Sequence, residues 1–242
     1  MPASSDTGQP DPSASTHSRG ADAPTPPRPV RPRDAASLVI HRKRRTHYEV
    51  LMGRRGSRAR FKPGVWVFPG GGLERADYHA RPLRPLDDVV AGQLAVGRTR
   101  RKADALAMAA VREAYEEAGL AYGHPGDVGN VGHATWREFR RRALAPDLGA
   151  LDFLGRAITP THRPLRYHAR FFGIEYERLE GEIGGDGELE DLRFVRIDAT
   201  GGLEMMIVQE TILATLARRL RGEQAPPQRL FYARGRRHAQ DV

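Results

Sequence analysis

The chain predicts an α/β fold, a mixed sheet with helices on both faces, and three observations carry that expectation. Short runs rich in β-branched and aromatic residues at 36–41, 47–55 and 65–68 are separated by turn chemistry and read as strands. An alanine-dominated helix follows and stops at Gly119, with Glu113, Glu116 and Glu117 near its end. Further strand patterns at 151–158, 165–174 and 191–197 then lead to an apolar-faced helix from about 204 to 220. Strands interleaved with helices imply an α/β sandwich.

Taken in order, residues 1–33 hold Pro, Ser, Ala and Asp with almost no large apolar side chain, so they cannot offset their own ordering entropy and are expected to be a disordered tail. One domain is expected over 34–224, with an insertion at about 78–103 and a basic tail at 225–242. Within the insertion, Leu86 to Val96 suits a short helix and Arg98 to Lys102 a basic loop; Thr135 to Leu144 reads as another helix. The stretch Leu165 to Ile174 alternates with period two, which puts Arg166, His168 and Arg170 on one face, either facing phosphates or simply solvated. On the last helix, Met205, Ile207, Val208, Ile212, Leu213 and Leu216 supply a face for packing on a sheet.

Several classes are excluded. No apolar run of 7–15 residues follows a basic start, Asp6, Asp11 and Asp22 oppose an organellar transit peptide, and no window approaches the ~20 apolar residues of a spanning helix. The chain has no cysteine, hence no disulfide, thiolate ligand or thiol nucleophile, and a cytoplasmic protein with no membrane partner is expected. The net charge of +9 is spread over six basic clusters, a pattern of general anion affinity. Nucleic acid is not expected as the partner, because neither a reading helix nor a sheet with exposed aromatics is evident.

The acidic helix carries the chemistry. Glu113, Glu116 and Glu117 stand at i, i+3 and i+4, so three like charges crowd one face. A solvated acidic face is the plain explanation; a hard divalent cation is the other, since carboxylate oxygens are what Mg²⁺ takes. Upstream, Phe68-Pro69-Gly70-Gly71-Gly72 follows the strand-like Val65-Trp66-Val67, and glycines there permit close backbone approach to a ligand or a plain turn.

Together the two segments resemble the Nudix box, G-x5-E-x7-R-E-U-x-E-E-x-G-U with U apolar. Gly71 to Asp77 matches G-x5-acid and Arg112 to Leu120 the remainder, with two departures: Asp77 stands where Glu is usual, and 34 residues separate it from Arg112 where seven are usual. A contiguous parse from Asp104 fails because Arg98 occupies the glycine position. The resemblance implies a Nudix-type α/β/α sandwich with a mixed sheet. It also implies Mg²⁺ or Mn²⁺ held by Glu113, Glu116 and Glu117, with the Gly70 carbonyl as a further candidate ligand. By the same resemblance, Arg112 pairs with Asp77 and holds the glycine loop against the helix.

Residues 55–71 are further similar to the signature of the coenzyme A diphosphatase branch, R-S-x3-R-x3-G-x3-F-P-G-G, through Arg55, Arg60, Gly64, Phe68, Pro69, Gly70 and Gly71; Gly56 replaces the usual Ser, and a basic hairpin edge is the alternative. Some branches of the family carry an insertion like this one inside the box. The resemblance implies metal-dependent hydrolysis of coenzyme A or its acyl derivatives to 3′,5′-ADP and 4′-phosphopantetheine. Arg55, Arg60, Phe68, Gly70 and Gly71, joined by Arg166 and Arg170, are the expected substrate contacts. Rival readings are an ADP-ribose, dinucleotide or nucleotide-sugar pyrophosphatase and a non-catalytic nucleotide sensor, the retained glutamates opposing the last. The general base is sought among Glu182, Asp186, Glu188, Glu190 and Asp191, with Glu190 preferred and His168 a poor choice. An apolar insertion face could cap the pocket or join two copies as a homodimer.

Overall fold

A computed structural model describes residues 30–57, 62–97, 99–233 and 236–242. Its first strands are β1 (Arg33–Lys43), β2 (Tyr48–Arg55), β3 (Trp66–Val67) and β4 (Gly70–Gly72); then come helices α1 (Asp88–Gln93) and α2 (Arg100–Ala118). A small ribbon, β5 (His124–Pro125) with β6 (Leu144–Ala145), brackets α3 (Ala134–Arg141). After β7 (Asp152–Ile158), β8 (Tyr167–Glu175) and β9 (Leu189–Arg196) come α4 (Ile207–Leu220), β10 (Gln228–Ala233) and β11 (Arg236–Asp241).

Among the described residues nine strands form one sheet in the order β11-β10-β7-β8-β1-β2-β3, with β4 paired to β1 and β9 to β2. It is mixed: β1–β8 and β7–β10 run parallel, and the other pairs antiparallel. β1 is central because Leu38, Val39 and Ile40 are buried on both sides, as strands covered by helices on two faces must be. The alanines of α2 let that helix lie close over one face, in a core with Leu38, Ile40, Phe153, Phe172 and Trp136. On the opposite face, α4 seats Ile212, Leu213 and Leu216 against Val39, Val50, Leu154 and Phe171. The α/β sandwich expected from the sequence is the fold observed.

α2 ends where Gly119 turns left-handed (φ 71°) and donates its N–H to the Tyr115 carbonyl at 2.9 Å. A side chain there would also meet the Glu182 carbonyl at 2.7 Å, so this glycine is required twice.

Four expectations need correction. Residues Arg100–Lys102 belong to α2, not to a basic loop: Arg100 pairs with Asp88 and Asp104, and Lys102 reaches Asp34 at 2.6 Å, so the charges are spent on the helix and its neighbours. The short insertion helix spans only Asp88–Gln93. Residues from 228 onward are not a tail: β10 adds to β7 and β11 to β10, extending the sheet by a hairpin whose Arg and His side chains gave no apolar alternation to read. The N-terminal boundary also moves, since Arg33 opens β1 and the Val30 carbonyl accepts from Arg166; the rest of the expected tail, 1–29, lies outside the described residues.

Candidate active site

The site is organised by one buried ion pair. The sequence turns Ala76–Tyr78 into a single 3-10 turn that points Asp77 inward, and Arg112 meets it from α2 with two parallel bonds of 2.9 and 3.1 Å. Both side chains are essentially inaccessible, at 1% and 0% exposure. The Arg112 fork also donates to the Gly72 carbonyl at 2.8 Å, which fastens the glycine loop to the helix, while Asp77 accepts from Glu74 N–H and Trp136 Nε1. Burial alone would depress Arg112, but Asp77, Glu113 and Glu116 hold it above its ordinary value. The 34-residue separation does not prevent the pair: residues 100–111 are the first turns of α2 itself, and Arg101 donates to the Tyr78 carbonyl, which holds the 3-10 turn alongside the helix.

Around this hub the three glutamates converge on the glycine strand. Glu113 Oε1 and Glu116 Oε2 each accept from Arg112 Nη1 at 2.9 Å. Glu113 lies directly under Gly71, where a Cβ would fall 2.5 Å from its carboxylate. Glu117 accepts from the Gly70 N–H at 2.7 Å, so it is the amide of Gly70 that the structure turns toward the carboxylates. Burial pushes Glu113 up to about 7 despite Arg112 and pushes Glu117 up to about 8, with only the Gly70 amide and Arg55 opposing. Two neighbouring acids, one buried and one half-buried, favour a proton or a cation.

The loop after β8 closes the cleft. Gly184 N–H and Asp186 N–H cap the Ala118 and Glu116 carbonyls at the end of α2, which brings Glu188 into the field of Glu117. Glu190 instead pairs with Arg54 at 3.0 Å and is half exposed. Arg55 stands beside Glu188 and Glu117 through backbone bonds to Gly64 and Val65 and the Gly56 N–H to Glu188 carbonyl contact, and its buried Nε has no partner among the described residues.

Other sequence-predicted residues are not brought here. Phe68, at 2% exposure, packs edge-on against Phe171 in the α4 core, so its ring is not offered to a ligand. Arg166 is buried and spends its donors on the Thr159 and Val30 carbonyls. Arg170 bonds Asp34 and the Leu94 and His168 carbonyls beneath the insertion, away from the glutamates. Arg60 lies outside the described residues. Conversely, the start of α3 supplies groups that sequence reasoning missed: the Thr135 hydroxyl donates to Glu116 Oε1, and His133 lies 3.8 Å from Glu116 and 3.6 Å from Glu74. No spacing rule links these residues to a helix 19 positions earlier.

The donor set suits a hard divalent cation by chemistry, being carboxylate oxygens placed over a glycine backbone in a dry cleft. In the geometry observed, Arg112 and Thr135 hold Glu113 and Glu116, and no group of three acids or histidines among the described residues is spaced to close on an ion. Both Glu116 oxygens are engaged, by Arg112 and Thr135, whereas Glu113 meets Arg112 through Oε1 alone.

Fold and cleft together define a Nudix-fold hydrolase. The chain belongs to the Nudix family: the family model described as NUDIX domain matches residues 31–216. Among solved structures it is similar to a NUDIX hydrolase from Alicyclobacillus acidocaldarius, at 28% identity over 77% of this chain and 91% of that one, with a TM-score of 0.59. Weaker likenesses are a MutT protein from Methanosarcina mazei (14% identity, 78% and 94% covered, TM-score 0.46) and the NUDIX domain of Shewanella oneidensis NrtR in complex with ADP ribose (10%, 79% and 90%, 0.46). No curated protein matches the chain. No helix among the described residues is long and apolar enough to cross a membrane.

Proposed function

We propose that this Nudix hydrolase cleaves the diphosphate of a nucleoside diphosphate derivative, with coenzyme A or an acyl-coenzyme A as the favoured substrate and 3′,5′-ADP and a 4′-phosphopantetheine as products. The observation that carries the reading is the cleft in which the half-buried Glu113 and the buried Glu117, both raised, face the Gly70–Gly71 backbone beside an Arg55 Nε that has no partner among the described residues. An unpaired buried guanidinium N–H costs free energy unless an acceptor arrives, and a diphosphate oxygen supplies one. The coenzyme A preference is supported by the register of Arg55, Gly64, Phe68, Gly70 and Gly71 with that branch's signature, Phe68 acting there through packing.

Glu113, Glu116 and Glu117 would hold Mg²⁺ or Mn²⁺, which when bound neutralises phosphoryl charge and lowers the pKa of a bound water. Arg112 and Asp77 fix the distance between the acidic helix and the glycine strand, and Thr135 orients Glu116. Arg55 neutralises a non-bridging oxygen of the diphosphate. In the reaction water adds to one phosphorus, the bridging P–O bond breaks, and two phosphomonoesters result, with the water's proton passing to a carboxylate. We assign that carboxylate to Glu188 rather than Glu190, because Glu190 is engaged by Arg54 while the exposed Glu188 is near enough to Glu117 to raise it electrostatically.

The test is to incubate the full chain with Mg²⁺ or Mn²⁺ and, separately, coenzyme A, acetyl-coenzyme A, ADP-ribose, NADH and a nucleotide sugar, and to resolve products by mass. Release of 3′,5′-ADP supports the reading; faster cleavage of another member of the panel keeps the hydrolase and discards the substrate.

A further inference from the structure

Three arginines lie in register across three neighbouring strands, on the sheet face that the insertion covers. Arg170 of β8 is the direct partner of Arg156 of β7, and Arg156 that of Arg229 of β10. Directly opposed residues share a face about 5 Å apart, and like charges so placed repel. His168, two residues from Arg170 on the same face, adds an imidazole with one N–H to the group. Against these cations and Lys102 the described residues set one carboxylate, Asp34, which already bonds both Arg170 and Lys102.

Part of the cluster has a structural use. The carbonyls of Gln93 and Leu94, left open at the end of α1, accept from Arg156 Nε at 3.1 Å and Arg170 Nε at 3.2 Å, which docks the insertion on the sheet. That use leaves most of the donors unspent. Arg156, 9% exposed, makes only the one bond and no ion pair among the described residues. Arg229 is half-buried; its Nε has no partner among the described residues, and its guanidinium rests 4.5 Å over the Phe231 ring. His168 Nε2, a donor in one of the two neutral tautomers, is likewise buried and without a partner among the described residues. Arg229 Nε and His168 Nε2 are thus two buried polar atoms without a partner among the described residues, a condition that proteins rarely show. The electrostatics agree: burial, then Arg229 and Arg170, bring Arg156 down to about 10, and burial with Arg170 and Arg156 brings His168 down to about 3.

We infer that Arg156, Arg229, Arg170 and His168 form a second anion site, distinct from the carboxylate cleft, that takes a phosphate-type oxyanion between the sheet and the inserted helix. Exposure rises along the row from Arg170 at 1% and Arg156 at 9% to the half-buried Arg229, so an anion would reach it from the β10 side. Gly71 of the cleft shares its row across Ala36 and Arg170, so strand spacing puts Arg156 and Arg229 about 14–19 Å from it. A tetrahedral dianion offers acceptors in several directions and neutralises the cationic row; the inserted helix, whose carbonyls hold two of the same guanidinium groups, becomes more firmly fixed when it binds. Free phosphate and a phosphomonoester share this chemistry.

The test is a thermal shift of the full chain in EDTA, with inorganic phosphate or phenyl phosphate titrated against NaCl at matched ionic strength. The wild type is expected to gain about 3–6 °C at ten times the dissociation constant. Arg229→Gln should lose at least half of that gain, and the Arg156→Gln/Arg229→Gln double variant all of it. Arg229→Lys, which keeps the charge, should retain most of it, and Glu117→Gln, which alters only the cleft, should retain it in full. Phenyl phosphate acting as well as phosphate identifies a monoester as the ligand, and phosphate alone acting identifies the free anion. Absence of any gain in the wild type, or a gain that survives in a double variant shown folded by circular dichroism, overturns the assignment, and neither result depends on whether the chain hydrolyses a diphosphate.

Discussion

Replacing Asp77 by Ala tests the hub of the cleft. In the folded chain Asp77 is fully buried and accepts four hydrogen bonds, two from Arg112, one from Trp136 Nε1 at 3.2 Å and one from the Glu74 N–H at 2.9 Å. Removing one partner of a buried ion pair typically costs about 3–5 kcal/mol. Arg112 keeps Glu113, Glu116 and the Gly72 carbonyl, so the lower end applies to it, about 3 kcal/mol. The buried indole N–H left without an acceptor adds about 1–2 kcal/mol. The expected loss for Asp77→Ala is thus about 4–5 kcal/mol, a large part of the ~5–15 kcal/mol by which a domain is stable. Urea unfolding should show it as a lower midpoint at unchanged slope. An Asp77→Leu/Arg112→Met pair should lose clearly less than the sum of its single variants, a coupling of about 2 kcal/mol or more. Asp77→Glu, although it restores the family's usual residue, adds a methylene to a filled site and should cost about 1–3 kcal/mol. If Asp77→Ala unfolds within about 1 kcal/mol of the wild type, the pair does not hold the loop to the helix and the reasoning fails.

Other outcomes follow from the same geometry. In metal-free protein Glu113 and Glu117, raised from 4.5 to about 7 and about 8, bind protons that the unfolded chain releases. The stability they contribute is complete below pH 4.5 and is lost as pH rises through 7 and 8, so melts in EDTA should fall from pH 5 to 8.5, by at most about 1.4 kcal/mol per unit for each carboxylate. Glu117→Gln should flatten that slope, and saturating Mg²⁺ should oppose it, because the ion requires the deprotonated acids. Thr135→Val, which keeps shape but frees Glu116, should lower kcat while costing only about 0.5–1.5 kcal/mol of stability; unchanged kcat excludes a positioning role. Glu188→Gln should reduce kcat about 100-fold or more, and Glu190→Gln far less; the reverse order returns the base to Glu190.

Much of this architecture is legible in the chain because it rests on local signals. The β-branched runs, the alanine-rich helix with its Gly119 stop and the apolar face of α4 each predicted an element within a few residues of where it stands. The glutamate spacing placed three carboxylates on one helical face, and the split box brought Asp77 to Arg112. What could not be read is what non-local packing decides. Phe68 and Arg166 carry chemically suitable side chains that the fold turns inward, and His133 and Thr135 reach Glu116 only because α3 packs across the end of the box. The β10–β11 hairpin is held by pairing to β7, and its sequence, rich in Arg and His, carries no apolar period to announce it.

The central claim is that the glutamates of α2 and the glycine strand form a metal-dependent diphosphatase. Product analysis by mass in ¹⁸O-labelled water, with Mg²⁺ and coenzyme A, for the wild type beside Glu116→Gln and Glu117→Gln, tests it most directly. The wild type should give 3′,5′-ADP and 4′-phosphopantetheine with one label on a single product, and neither folded variant should cleave above background. Full activity in both variants, or no cleavage of any diphosphate in the panel by the wild type with Mg²⁺ or Mn²⁺, contradicts it.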